Sequence, residues 1–405
     1  MDFLKFLNYA VTPYHTVDAI MQLLGVSSEK TGEIAIFERG GALIAVRAPQ
    51  KICADTKFRI ALAHTDFPTL KITPNPDSAA AEIQTLHPEI YGSPIYTSWL
   101  DRDLGYAGLL AYELEGKIQT KLFRGNKFVR IPQLAVHLNR GVNQDGLKVN
   151  PQTDLNALWT SAVGTKFVDV LQREIPSGGK LLDFDVQLFD AQGAQLGGLN
   201  DEWVFSGRLD NLSSCHAIAV AMANATAHEK DFLVAAFFNN EEVGSTTREG
   251  AGSNFLKSVL ETSLRGSDAT EAIQLDVMLA ASLALSIDMA HAEHPNFVQK
   301  HEPNHAPILG AGVVLKTNSQ KRYASDVFSN AQFKLLCEQS NVPYQTFVMR
   351  NDMPCGSTVG PTISAMLGIP TVDIGEPMLS MHSIREMTAV KDHESMIRLV
   401  SAFWG

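Results

Sequence analysis

Cysteine is scarce: four in 405 residues, Cys53, Cys215, Cys337 and Cys355, with no Cys-x-x-Cys spacing among them. That excludes a disulfide framework and a cysteine-based zinc site, and it suits a reducing, cytoplasmic compartment. Long apolar runs are missing too. No stretch approaches the length that spans a bilayer. The start, Met1-Asp-Phe-Leu-Lys-Phe-Leu-Asn8, lacks the basic segment and apolar core of a signal peptide, so no membrane partner is expected. Positive charge is in deficit. The 33 Lys and Arg stand against 44 Asp and Glu, a net charge of −11 that disfavours nucleic acid as a partner. There is no internal repeat, no low-complexity tract and no G-x-S-x-G elbow of a serine hydrolase. Gly310-Ala-Gly312 lacks the third glycine of a dinucleotide fingerprint and precedes a strand-like run.

What is present is a chain 45% hydrophobic and 19% charged, long enough for two globular domains. Its most informative stretch is 231–245. Seven apolar residues, Phe232 to Phe238, read as a strand buried on both faces, as in a parallel sheet covered by helices. The strand runs out into Asn239-Asn240-Glu241-Glu242-Val243-Gly244, at the end where open α/β sheets bind ligands. Adjacent carboxylates leave water reluctantly. A divalent ion resolves that, one Glu ligating it and the other holding a reacting water. A second buried strand, residues 58–66, ends in His64 and Asp66, a spacing that suits a metal-ligating His oriented by a carboxylate.

The remainder fills in an α/β pattern. Residues 1–30 read as mainly helical, with a helix over 16–25. Between 71 and 195, Pro and Gly punctuate short strand-like runs, which predicts an inserted β-rich domain containing His137. Read alone, His137 is a partly buried structural residue. Asp210 opens an Ala-rich helix, where an Asp can serve simply as a cap. The apolar run from Leu279 reads as a strand that ends at Asp288. His301-Glu-Pro-Asn-His305 matches a zincin pattern, but Pro303 and Pro307 forbid the helix it needs. A strand enters a polar segment after residue 312, a helix covers 326–339, a strand covers 370–375, and a last helix ends near Trp404. The catalytic α/β domain is therefore expected over residues 1–70 and 196–405: a central mixed, largely parallel sheet flanked by helices. His64, Asp210, Glu242, Asp288 and His382 fall at ends of expected strands or at a helix start. Two His and three carboxylates form the donor set for two zinc-like ions sharing a carboxylate, with Co or Mn as other possible occupants.

Eight segments together resemble the aspartyl aminopeptidases, dinuclear zinc exopeptidases. They are His-Thr-Asp-Phe-Pro (64–68), Trp-Leu-Asp-Arg-Asp-Leu-Gly (99–105), Gly-Arg-Leu-Asp-Asn (207–211) and Glu-Glu-Val-Gly-Ser (241–245), followed by Asp-Met-Ala-His-Ala-Glu-His-Pro-Asn (288–296), Arg-Tyr-Ala-Ser (322–325), Asn-Asp-Met-Pro-Cys-Gly-Ser-Thr-Val-Gly-Pro (351–361) and Met-His-Ser-Ile-Arg-Glu-Met (381–387). The resemblance implies a peptidase that removes N-terminal Asp or Glu. In it, Asp210 bridges two ions, and His64, Asp288, Glu242 and His382 complete their shells in an order the sequence does not decide. It further implies that Glu241 is the general base and Asp66 orients His64, and that His137 is offered to a neighbouring subunit's site. Lys316 and Tyr323 would line the pocket for the acidic side chain, with Asp352 and Gly356 also at the substrate. The assembly implied is a dodecamer built from dimers through the β-rich domain. The chain departs from the family where it has Asn239-Asn240 for a common Asp-His, Phe67 for Ser and Gln133 for His. Two other readings stay open: a related amidohydrolase (a deblocking aminopeptidase or acylase), and a metal-stabilised shell or cargo protein without catalysis.

Overall fold

The structure is a computed structural model that describes residues 1–25, 34–265 and 275–405. Residues 26–30, included in the expected N-terminal helical stretch, lie outside the described residues. The chain divides into two compact units. One comprises residues 1–66, 194–381 and 386–405; the other comprises 67–193 and 382–385.

The first unit is built on an eight-stranded sheet. Its strands in chain order are β1 (Ala35–Arg39), β2 (Ala42–Arg47), β3 (Phe58–His64), β4 (Phe232–Phe238), β5 (Leu283–Ile287), β6 (Val313–Thr317), β7 (Tyr344–Val348) and β8 (Thr371–Gly375). Their order across the sheet is β1-β2-β4-β3-β5-β8-β6-β7. The pairings β4–β3, β3–β5, β5–β8 and β6–β7 are parallel, and β1–β2, β2–β4 and β8–β6 are antiparallel. β4 is buried at all seven positions, as an unbroken apolar run between helical layers requires. Phe232, Val234, Ala236 and Phe238 face one cluster with Phe255, Leu256, Val259 and Val359, from the helices Phe255–Arg265 and Val359–Leu367. The helix Leu209–Asn224 packs against β3 and β4, and the closing helix Val390–Trp404 packs against it in turn. A five-stranded sheet in the same unit brings Ala290–His291, just after β5, beside Pro377–Leu379.

Two local readings change. The second helix begins at Pro13, not Thr16: Thr12 accepts the His15 N–H as N-cap, and proline suits the first helical position. The apolar run from Leu279 splits into the end of a helix, Leu275–Ala281, and strand β5. Short apolar runs do not distinguish the two states. Ser282 divides them, its hydroxyl donating to the Met278 carbonyl and accepting the Phe58 N–H.

The second unit is a closed barrel of six strands, in order Lys180–Asp190, Thr69–Ala80, Ile83–Tyr91, Ala157–Thr160, Val129–Arg130 and Asp103–Leu114. The last pairs back with the first, and Lys117–Arg124 adds to it from outside. Closure leaves no free edge among the six. At Gly108 the two closing strands come so near that a Cβ would stand 1.9 Å from the Asp185 carbonyl oxygen, so only glycine fits.

Candidate metal centre

β3 ends at His64, and the chain turns so that Asp66 lies under the exit of β4. Asp66 is fully buried. Its Oδ1 and Oδ2 accept the N–H groups of Glu241 and Glu242, each at 3.1 Å. That fixes the short 3₁₀ turn Glu241–Val243, which is entered through Asn240 at φ 64° and left through Gly244 at φ 99°. The expectation that Asp66 orients His64 needs refining. The His64 Nδ1 lies 3.0 Å from the Asp66 backbone carbonyl, and the carboxylate is farther, at 3.5 Å. With Nδ1 facing a carbonyl it carries the proton, and Nε2 is the atom presented to the site.

Around Nε2 stand Asp210 Oδ1 at 3.4 Å and Asp288 Oδ1 at 3.6 Å. His64, Asp210 and Glu242 each place one donor atom within 4.8 Å of the others. Asp210 comes from the start of the helix Leu209–Asn224, before regular helical geometry sets in, with φ −82° and ψ 103°. Its N–H donates to Glu386 Oε2 at 3.2 Å, and the Asn211 amide donates to the Ile287 carbonyl at the end of β5. Neither Glu386 nor Asn211 was singled out by sequence reasoning; both lie inside segments that carry the family resemblance.

Electrostatically the centre is one imidazole among carboxylates. Burial opposes protonation of His64, but Asp210, Asp288 and Asp66 together outweigh it and hold its pKa well above the usual histidine range. Burial foremost, with Asp288, Asp66 and Asp210 beside it and His64 opposing, pushes the Glu241 carboxyl up to about 8. Without an ion a proton on Nε2 answers the two carboxylate oxygens, and a divalent ion would take that proton's place. Zinc with N and O ligands at about 2.0–2.2 Å sets neighbouring donors roughly 3.3–3.6 Å apart in a tetrahedron. The separations around Nε2 are of that size, so the residues fit a divalent ion.

Other candidates have different settings. His137 lies on an exposed turn of the barrel unit. His382 also groups with the barrel unit, its Nδ1 3.1 Å from the Ser93 carbonyl. Lys316 is buried, and its ammonium donates to the backbone carbonyls of Asp288 and Met289. The lysine expected to await a substrate carboxylate is thus already bound to acceptors of its own chain. Tyr323 is buried beneath it, its phenol pushed well above the ordinary range by burial and by a hydrogen bond with Cys355. Asp352 is exposed and held by Arg350, and Gly356 has open space where a Cβ would be. The departures also have local reasons. Asn239 donates to Glu249 at 2.9 Å, where an Asp would face a like charge. Asn240 tolerates its positive φ, and Gln133 donates twice to Asp101. A cavity of about 250 Å³ opens in the sheet unit, lined by His291, His294, Lys300, His301, Glu302, Arg350 and an apolar floor that includes Phe347 and Met378.

The pattern of the aminopeptidase I zinc metalloprotease family (M18) matches residues 6–404. The chain belongs to that family. A probable M18 family aminopeptidase 2 of Pseudomonas aeruginosa is 36% identical to it, over 99% of this chain and 96% of the relative. One from Streptomyces avermitilis is 38% identical at the same coverage. Among solved structures, yeast aminopeptidase 1 superposes with a TM-score of 0.84 at 26% identity, over 99% of this chain and 95% of that one. Ape4, solved in complex with Nbr1, reaches 0.92 at 32% identity, over 100% and 84%. M18 membership makes the protein a zinc-metalloprotease relative over nearly its whole length, and the carboxylate–imidazole cluster falls within the matched residues.

Proposed function

We propose that this M18 protein is an aminopeptidase working with two divalent ions, zinc foremost, and that it prefers N-terminal Asp or Glu. The observation that carries the reading is the cluster of buried Asp210 and Asp288 and half-buried Glu242 about His64, with Glu241 beside it. His64, Asp210, Glu242 and Asp288 would hold the ions, with Asp210 as the shared ligand and His382 as a fifth carried by the resemblance alone. Bound ions would supply a Lewis acid for the peptide carbonyl, lower the pKa of water and anchor the free α-amino group. Glu241 takes a proton from the attacking water and returns it to the leaving amine. Asp66 aims Glu241 by binding the backbone of its turn, and Asp66's own carbonyl holds His64 in the tautomer that leaves Nε2 available. Such ions would let a free α-amine bind through its nitrogen, a contact that an N-acylated substrate lacks.

A dodecamer of this chain, like that solved for the yeast mApe1 relative, is supported by the turn carrying His137. Leu134, Val136 and Leu138 there are 62%, 51% and 74% exposed, a cost that a neighbouring subunit would remove. His137 would then serve that neighbour's site. Tyr323, Asp352 and Gly356 are carried as substrate-side residues by the resemblance alone. For the acidic preference, the feature in favour is the cavity that begins three residues beyond Asp288 and carries Lys300 and Arg350 in its lining. Lys300 is exposed, and its charge is one of those that lower the Asp352 pKa. Glu302, which also lines the cavity, is engaged by His305, and Asp352 is engaged by Arg350. The test is a panel of peptides with N-terminal Asp, Glu, Leu and Lys, free and N-acylated. Free acidic peptides should be cleaved fastest and acylated ones not at all. Lys300→Ala should raise KM for the acidic peptides about three- to fivefold, the scale of one half-exposed ion pair, and leave Leu peptides unchanged. Equal cleavage of all the free peptides would end the proposed preference.

A further inference from the structure

Lys316 presents a buried ammonium, 2% exposed, in β6 of the sheet unit. Its Nζ donates to the carbonyl oxygens of Asp288 at 3.0 Å and Met289 at 3.2 Å, and it stands 3.7 Å from Asp288 Oδ2. The Tyr323 ring lies 5.2 Å from it, closing another side. The second oxygen of that carboxylate, Oδ1, faces His64 Nε2. Asp288 is thus divided: one oxygen toward the ammonium, the other toward the imidazole. The backbone there is gripped from the opposite side as well. Asp288 N donates to the Ile374 carbonyl, and a Cβ on Gly375 would fall 1.8 Å from the Asp288 carbonyl oxygen.

We propose that Lys316 is a positioning residue that presents Asp288 to a divalent ion through a single oxygen. This rests on the metal-centre reading above. A carboxylate torsion is broad and nearly two-fold, so an unheld Asp288 could rotate, chelate with both oxygens or turn away. The ammonium limits that freedom by its attraction for Oδ2 at 3.7 Å, and the two carbonyl bonds hold the backbone where the chain leaves β5. An ammonium has three donors; two are bound by the Asp288 and Met289 carbonyls, and the charge lies 3.7 Å from Asp288 Oδ2. Lys316 therefore acts on the ion through Asp288.

The test is a titration of the full-length, ion-stripped protein with Zn²⁺ against a chelating indicator. It is run on wild type, Lys316→Met, Lys316→Arg, Asp288→Asn and the double variant Lys316→Met/Asp288→Asn. Lys316→Met should weaken one bound ion about 10–100-fold, the usual cost of losing a group that orients a ligand. In the Asp288→Asn background the same change should cost less than about threefold, because the two act through one contact. Lys316→Arg, which keeps the charge but displaces it, should fall between wild type and Lys316→Met; it carries the comparison if the Met variant loses its near-ultraviolet spectrum. kcat/KM should drop equally for Asp and Leu substrates. Wild-type affinity in both Lys316 variants, costs that add in the double variant, or a loss confined to acidic substrates would each overturn the proposal. A wild-type protein that takes up no ion would overturn the metal reading beneath it as well.

Discussion

Glu241→Gln should bind divalent ions as the wild type does and turn over peptides about 10²–10⁴-fold more slowly, the range of a general base removed. The change is isosteric and leaves intact the backbone N–H by which Glu241 is tied to Asp66. The turn should therefore persist, and only the proton acceptor is lost. Glu241 suits the role because burial and its carboxylate neighbours raise its affinity for a proton, so that it can accept one from water and release it to an amine. A bound cation would weaken that effect, so the working value lies below the ion-free one. Measuring kcat beside ion content separates the outcomes. Near wild-type turnover, or loss of ions together with turnover, would remove Glu241 from the role of base.

The second large effect is expected at Asp210. Asp210→Asn should lower the number of ions per chain and cut kcat/KM by at least about 10³-fold, since the proposed shared ligand and the ions' Lewis acidity go together. Stability supplies an independent readout. Without a cation, Asp210, Asp288, Glu242, Glu241 and Asp66 surround a single imidazole, and chelation should lower the wild-type Tm. An ion that binds only the native state at a thousandfold excess over its Kd stabilises by about 4 kcal/mol. In Asp210→Asn the melting temperature should respond little to chelator. A wild-type Tm indifferent to chelation, or a variant that retains both ions, would contradict this account of the cluster.

Much of this arrangement is legible in sequence for physical reasons. An unbroken apolar run such as Phe232 to Phe238 can only be satisfied by burial on both faces, and a polar turn at its end marks a ligand site. The two-residue spacing of His64 and Asp66 likewise points to one centre. Three features escape such reading. Closure of the barrel depends on Lys180–Asp190 pairing with both Thr69–Ala80 and Asp103–Leu114, a matter of register between distant segments. The grip of Asp66 on the Glu241 and Glu242 amides uses backbone groups, which carry no sequence signature. The partners of Lys316 are mainly main-chain carbonyls, so the residue reads from sequence as a free cation when it is a bound one.

The central claim is that Asp210, His64, Glu242 and Asp288 hold a pair of divalent ions. Anomalous diffraction at the zinc edge from crystals grown with Zn²⁺ and without chelator tests it most directly. Two peaks per chain are predicted, both within ligand distance of Asp210 and one touching His64 Nε2. No peak at Asp210, or peaks only at surface histidines, would contradict the claim.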